Sequence, residues 1–171
     1  LFYSENSSLR DEVFINEQFE RLRKEQIFVY ICHGKHYPLT SKITSQWPNN
    51  VSVFSNQVET YQAITKSGET IYIHGFSYQN DASYENIIDA YPSSQGQKGI
   101  HIGVLHGTYS KSSVKDRYTE FRLEDLNQRL YHYWALGHIH QREQLSEMTV
   151  IKYTANIQGR HFNELGEKGS L

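Results

Sequence analysis

A chain of 171 residues carries 17 Lys and Arg against 19 Asp and Glu, a formal charge of -2, with 13 Tyr, 8 Phe and a mean hydropathy of -0.66. That length suits one domain with a real core, the aromatic content argues against disorder, and the weakly acidic balance excludes nucleic-acid binding through a broad basic face, so any such contact is local. A single cysteine, Cys32, rules out an intramolecular disulfide, and no apolar run approaches the roughly 20 residues of a membrane span; both point to a soluble cytoplasmic protein.

The chain opens on Leu1 rather than Met and closes on Gly169-Ser170-Leu171, so both ends are expected to be cut. Leu9, Val13, Phe14, Phe19 and Leu22, spaced among charges, predict an amphipathic helix over 9–25 that lies on a core, with Asn6, Ser7 and Ser8 as caps. Ile27 to Cys32 reads as a strand buried on both faces, with Cys32 an inert thiol, and it runs into His33-Gly34-Lys35-His36. Val51 to Phe54, Val58 to Thr65 and Glu69 to Phe76 predict strands, the last two forming a hairpin about Lys66-Ser67-Gly68.

Tyr84 to Ala90 predicts a short helix stopped at Tyr91-Pro92. A strand from Ile100 to Leu105 meets His106-Gly107, a helix spans Leu123 to Leu130, a strand from Tyr131 to Leu136 meets Gly137-His138-Ile139-His140, and Val150 to Tyr153 predicts a last strand. Strands interleaved with few helices fit an α/β or α+β layered sheet.

Three apolar strands therefore each end in a histidine beside a glycine. In open α/β sheets ligands gather beyond the carboxyl ends of strands, neutral imidazole is the commonest metal ligand, and glycine lets the chain turn sharply enough to aim it. His106, His138 and His140 are read together as ligands at one rim. His74, His101, His132 and His161 are read as hydrogen-bonded structural groups.

Taken in this order, strand-Gly-x-His, strand-His-Gly and strand-Gly-His-Ile-His resemble the later motifs of the calcineurin-like metallophosphoesterases. The likeness sharpens toward the SbcD/Mre11-type DNA repair exonucleases, and within them the bacterial YhaO-like branch, through Asn156-Ile157-Gln158-Gly159-Arg160-His161-Phe162-Asn163-Glu164 and Gly166-Glu167-Lys168-Gly169. The opening Leu1 to Asn6 is similar to the stretch after that family's second motif.

The resemblance implies an αββα sandwich, incomplete at its N-terminus, of which residues 1–171 form the C-terminal part of one domain. It implies two divalent ions, commonly manganese, that activate water for in-line attack on a DNA phosphodiester. His106 and His138 would hold one ion, His140 the other, and His36 would be the acid assisting the leaving oxygen. Arg160 would contact a substrate phosphate or pair with Glu164 or Glu167 on the surface. DNA and a coiled-coil ATPase of the SMC-like kind are the implied partners, and a sheet left uncovered at the N-terminal side makes a second copy of the chain a further expected one.

The chain departs from the family pattern where Gly-Asn-His-Asp becomes Gly34-Lys35-His36-Tyr37. Lys35 offers a cation no lone pair and repels it, and Tyr37 removes a carboxylate that would support the neighbouring histidine. Tyr3 stands where an aspartate is usual, and Thr154-Ala155 replaces Pro-Gly, which alters a turn. The Asp-x-His motif and the bridging aspartate would precede Leu1, so weak or partial metal uptake is expected, and with it an uncovered apolar patch or sheet edge.

Two functions follow from these residues: a metal-dependent phosphodiesterase of the exonuclease type, or an inactive phosphoesterase-like module that binds or assembles. An unrelated histidine-rich hydrolase or cupin-like binder would leave Asn156 to Gly169 without a role.

Overall fold

The computed structural model describes residues 8–35, 37–40, 46–79, 87–110, 120–159 and 161–169. It has a mixed α/β architecture with a central sheet and few helices. The chain divides into two compact units, Leu1–Gln57 with Phe76–Ala82, and Val58–Gly75 with Ser83–Leu171.

In the first unit α1 (Leu9–Lys24) starts where expected, at Ser8, whose side chain and Asp11 cap each other reciprocally. Its buried face differs from the expected one. Phe19 and Glu12 are buried, whereas Leu9, Val13 and Phe14 are exposed. Phe19 meets the Trp47 ring edge-on at 5.2 Å, so one aromatic pair anchors the helix and the apolar periodicity of its first turns does not. Asn6 and Ser7 lie outside the described residues.

The strand expected from Ile27 shortens to β1 (Val29–Ile31), which pairs in parallel with β2 (Val51–Val53) in a two-stranded sheet of its own. The expectation of a strand buried on both faces is corrected, because Ile27 and Phe28 are exposed and β1 itself is half-buried. The Asn50 amide donates to the Ile27 carbonyl at 2.9 Å, which ends the turn leaving α1. Cys32 is half-buried, and burial pushes its thiol up to about 11, so it is protonated and inert at neutral pH.

The second unit holds a six-stranded sheet in the order β3 (Glu59–Ile64), β4 (Thr70–Gly75), β5 (Ile100–His106), β8 (Tyr133–Gly137), β10 (Val150–Tyr153), β9 (Glu143–Ser146). The hairpin is as expected: β3 and β4 pair antiparallel, closed by the Thr65 N–H to the Glu69 carbonyl, with Gly68 at φ +87° where a side chain would be strained. Strands β4, β5, β8 and β10 run parallel, so their carboxyl ends share one edge of the sheet. Two further strands, β6 (Thr108–Tyr109) and β7 (Glu120–Phe121), make a short parallel pair.

Of the expected helix over 84–90 only a 3-10 turn, Ile87–Ala90, falls on described residues, and α2 spans Leu123–Asn127 rather than reaching Leu130. Leu130 adopts φ +61°, incompatible with continuing a helix.

The second core centres on Trp134, fully buried between Tyr91 and Tyr131, with ring centroids at 5.1 and 4.9 Å. Each tyrosine hydroxyl finds a backbone carbonyl, Tyr91 at Val104 and Tyr131 at Pro92, both at 2.7 Å. Gly103 makes room for the indole, since a Cβ there would lie 2.2 Å from it.

The three histidine-ended strands do not share one sheet. Strands β5 and β8 are hydrogen-bonded neighbours, while β1 pairs with β2. Among the described residues no helix is long and apolar enough to cross a membrane.

Candidate metal centre

Strand register decides which histidines meet. On β5 burial alternates, with His101, Gly103 and Leu105 on the buried face and Ile100, Ile102, Val104 and His106 on the half-buried one. His106 is the last residue of the strand and pairs across the ladder with Gly137, the last residue of β8. The missing side chain at Gly137 is the space the imidazole uses, because a Cβ there would lie 3.2 Å from His106 Nδ1.

The next residue, His138, turns out of the strand at φ +98°, a conformation costly for a side chain other than glycine. The strain brings its ring against His106 edge-on, with centroids 5.1 Å apart and planes at 74°. Behind them the Tyr153 hydroxyl donates to the Gly107 carbonyl at 2.9 Å and accepts the Tyr109 N–H at 2.8 Å, pinning the loop that leaves His106. Burial pushes that phenol well above its ordinary range, so it stays protonated and can serve both bonds.

His140 lies beyond the bend. Its Nδ1 stands 2.9 Å from Glu164 Oε1, and its carbonyl accepts the Lys168 ammonium at 3.1 Å. The Asn156 amide donates to Glu164 Oε2 at 2.6 Å, and His161 Nε2 lies 3.4 Å from Oε1. Glu164 is the buried member, its side chain only 8% exposed. The sequence attaches no chemical role to Glu164 or Asn156 beyond a surface pairing of Glu164 with Arg160. The spacing from Asn156 to Glu164 and the small turn at Gly159 are the signals that point to one.

The His36 and Arg160 assignments fall outside the described residues, and so does Tyr3. In the first unit Lys35 is half-buried, and Tyr37 is a core residue at 6% exposure whose carbonyl accepts the His33 Nδ1–H at 2.9 Å. Tyr37 thus contributes packing where a carboxylate would have contributed charge.

His74, His101 and His132 are hydrogen-bonded within the fold, as read from the sequence. Thr60 Oγ1 meets His74 Nδ1 at 2.8 Å, His74 Nε2 meets His101 Nδ1 at 3.0 Å, and the His101 N–H donates to His132 Nδ1 at 3.0 Å. Burial, then the neighbouring His101, pushes His74 down to about 4. Burial and His132 also lower His101.

Chemically, the His106–His138 pair fits a divalent cation: two imidazoles meet at a glycine-cleared rim, and His106 Nε2 is shielded from solvent. It falls short of a full donor set. Among the described residues no group of three or more His, Cys, Asp or Glu is arranged to hold a metal, whereas catalytic sites commonly take three protein ligands.

No protein-family model matches the chain. Over 172 aligned positions it is 44% identical to the uncharacterized metallophosphoesterase YhaO of Bacillus subtilis (strain 168), an alignment that covers 99% of this chain and 42% of that protein. The chain thus spans about two fifths of the length of the curated relative it matches. Over nearly all of its own length the chain is thus similar to a protein described as a metallophosphoesterase, and the His106–His138 pair lies within the shared stretch.

Proposed function

We propose that the parent protein is a metal-dependent phosphodiester hydrolase of the DNA repair exonuclease type, with residues 1–171 part of its phosphoesterase domain. The observation that carries this is the apposition of His106 and His138 at adjacent parallel strand ends, in the order of the family motifs. Bound divalent ions, manganese by resemblance, would supply Lewis-acid polarisation of a phosphoryl oxygen and an activated water. The chain's own contribution is to hold His106 and His138 side by side at the strand ends and to present His140 from a braced loop. His36 keeps its proposed role as proton donor to the leaving oxygen, and Arg160 its proposed contact with a substrate phosphate. DNA, a coiled-coil ATPase and a second copy of the chain are the partners this reading carries.

Lys35 and Tyr37 favour a second reading, in which the chain is an inactive module for binding or assembly. By resemblance Lys35 stands at the motif position where a neutral amide would ligate and offers no lone pair, and Tyr37 is a core residue. The test is hydrolysis of bis-p-nitrophenyl phosphate and of duplex DNA ends with and without manganese. Manganese-dependent turnover that falls by more than about 100-fold in His138→Ala supports the enzyme, a larger loss than the roughly 10-to-100-fold cost of a supporting residue. Turnover indifferent to chelator and to His138→Ala overturns it. Lys35→Asn that raises turnover identifies Lys35 as the inhibitory departure, and no turnover in either form supports the module.

A further inference from the structure

We propose that Glu164 is a positioning residue that holds a proton on Nδ1 of His140 and so sets the tautomer and orientation of that ring. The purpose of this hold rests on the reading of His140 as a metal ligand; the hold itself follows from the geometry.

A carboxylate only accepts hydrogen bonds, so the 2.9 Å contact between Glu164 Oε1 and His140 Nδ1 requires the proton to sit on Nδ1. Free neutral imidazole is under no such constraint. Fixing one ring nitrogen through a hydrogen bond from the other is how ligating histidines are generally oriented and made more basic.

The carboxylate is itself braced. Asn156 donates to Oε2 at 2.6 Å, His161 Nε2 approaches Oε1 at 3.4 Å, and the Glu164 N–H closes a turn onto the His161 carbonyl at 3.0 Å. Gly159 lets this loop fold tightly, since a Cβ there would lie 3.3 Å from the Glu164 carbonyl. From the other side, the Lys168 ammonium pins the His140 carbonyl, which fixes the backbone that carries the ring. The stretch from Asn156 to Lys168 thereby acts as a clamp on His140. With the side chain of Glu164 8% exposed and that of His140 38% exposed, the hold is shielded while the held ring still reaches solvent.

The test reads the His140 ring directly, by nitrogen-15 NMR of the 171-residue chain, with the signal assigned by its absence in His140→Gln. Wild type should show the Nδ1–H tautomer. Glu164→Ala should shift it toward Nε2–H, and Glu164→Gln, whose amide oxygen still accepts a hydrogen bond, should restore Nδ1–H. Retained circular dichroism in Glu164→Gln separates the effect from unfolding. A parallel manganese titration, followed by electron paramagnetic resonance, should show the His140-dependent uptake weakened by about 10- to 100-fold in Glu164→Ala. An Nε2–H ring in wild type, or a tautomer unchanged in Glu164→Ala, overturns the inference. A tautomer that responds while His140→Gln leaves manganese uptake unaltered upholds the clamp and overturns the metal reading of His140.

Discussion

His101 and His106 belong to the same strand, β5, yet they live in different chemical worlds. His101, 1% exposed, stacks on Tyr72 at 4.7 Å and on Tyr131 at 5.9 Å, and hydrogen bonds tie it to His74 and His132. His106 ends the strand on its other face, where the ladder stops, a glycine clears space and a strained neighbour leans in. The inner set is core that happens to be imidazole, held by aromatic stacking and by hydrogen bonds that link His74, His101 and His132. The outer set is placed by backbone geometry at the strand ends, where two of the rings meet edge to face. A histidine's face and its distance from the strand end, more than its residue type, separate the two.

The largest effect should come from the inner region. Gly103→Ala drives a Cβ to 2.2 Å from the Trp134 ring and should cost about 3 kcal/mol or abolish folding. Trp134→Ala should cost about 3–5 kcal/mol. Urea denaturation measures both, and stability near wild type in Gly103→Ala would show that the indole can move aside.

The next effect is on pH dependence, and it too belongs to the inner set. His74 is neutral in the fold because burial pushes it down to about 4, whereas the unfolded chain takes up the proton near 6.5. Stability from this site is therefore complete above about pH 6.5 and declines as the pH falls toward 4. Urea midpoints measured at about pH 7 and about pH 5 should differ, and the difference should shrink in His74→Gln. An unchanged difference would place the acid-sensitive group elsewhere.

At the rim, Gly137→Ala should cost less than about 1 kcal/mol, because only the movable His106 ring stands in the way at 3.2 Å. It should nevertheless weaken manganese binding by roughly tenfold, since a displaced ligand costs affinity before it costs stability. An inner-type loss of stability without any change in metal binding would erase the distinction between the two sets. The smallest effect concerns Ala155, which adopts φ +68° where the family usually has glycine. Ala155→Gly relieves about 1 kcal/mol of left-handed strain and loses part of that to chain entropy, for a net gain of about 0.5 kcal/mol by thermal unfolding.

Much of this was legible from local chemistry. The hairpin about Gly68, the strands expected to end at Leu105 and Leu136, one residue short of their ends at His106 and Gly137, and the cap at Ser8 follow from apolar patterning, turn residues and capping residues, and His74, His101 and His132 have the hydrogen-bonded character expected of isolated histidines. The differences were decided by partners distant in sequence. Leu9, Val13 and Phe14 have helical spacing, but spacing says nothing about whether a surface waits for them, and α1 is anchored through Phe19 on Trp47 instead. Likewise β1 is apolar enough for a sheet interior, yet its pairing with β2 leaves Ile27 and Phe28 exposed. Strand β9 escapes a sequence reading because Glu143 to Ser146 is too polar to signal a strand and exists only by pairing with β10.

By itself the sequence determined which residues could do chemistry, because imidazoles beside glycines at strand ends are a local pattern, and it carried the family likeness in the order of those patterns. Only the tertiary structure decided which imidazoles meet. The parallel register of β5 and β8 set His106 against His138, and the fold of the loop from Asn156 to Lys168 brought Glu164 to His140. Register and loop closure are non-local: they arise from pairing energies and buried contacts between residues far apart in the chain, which no window along it contains.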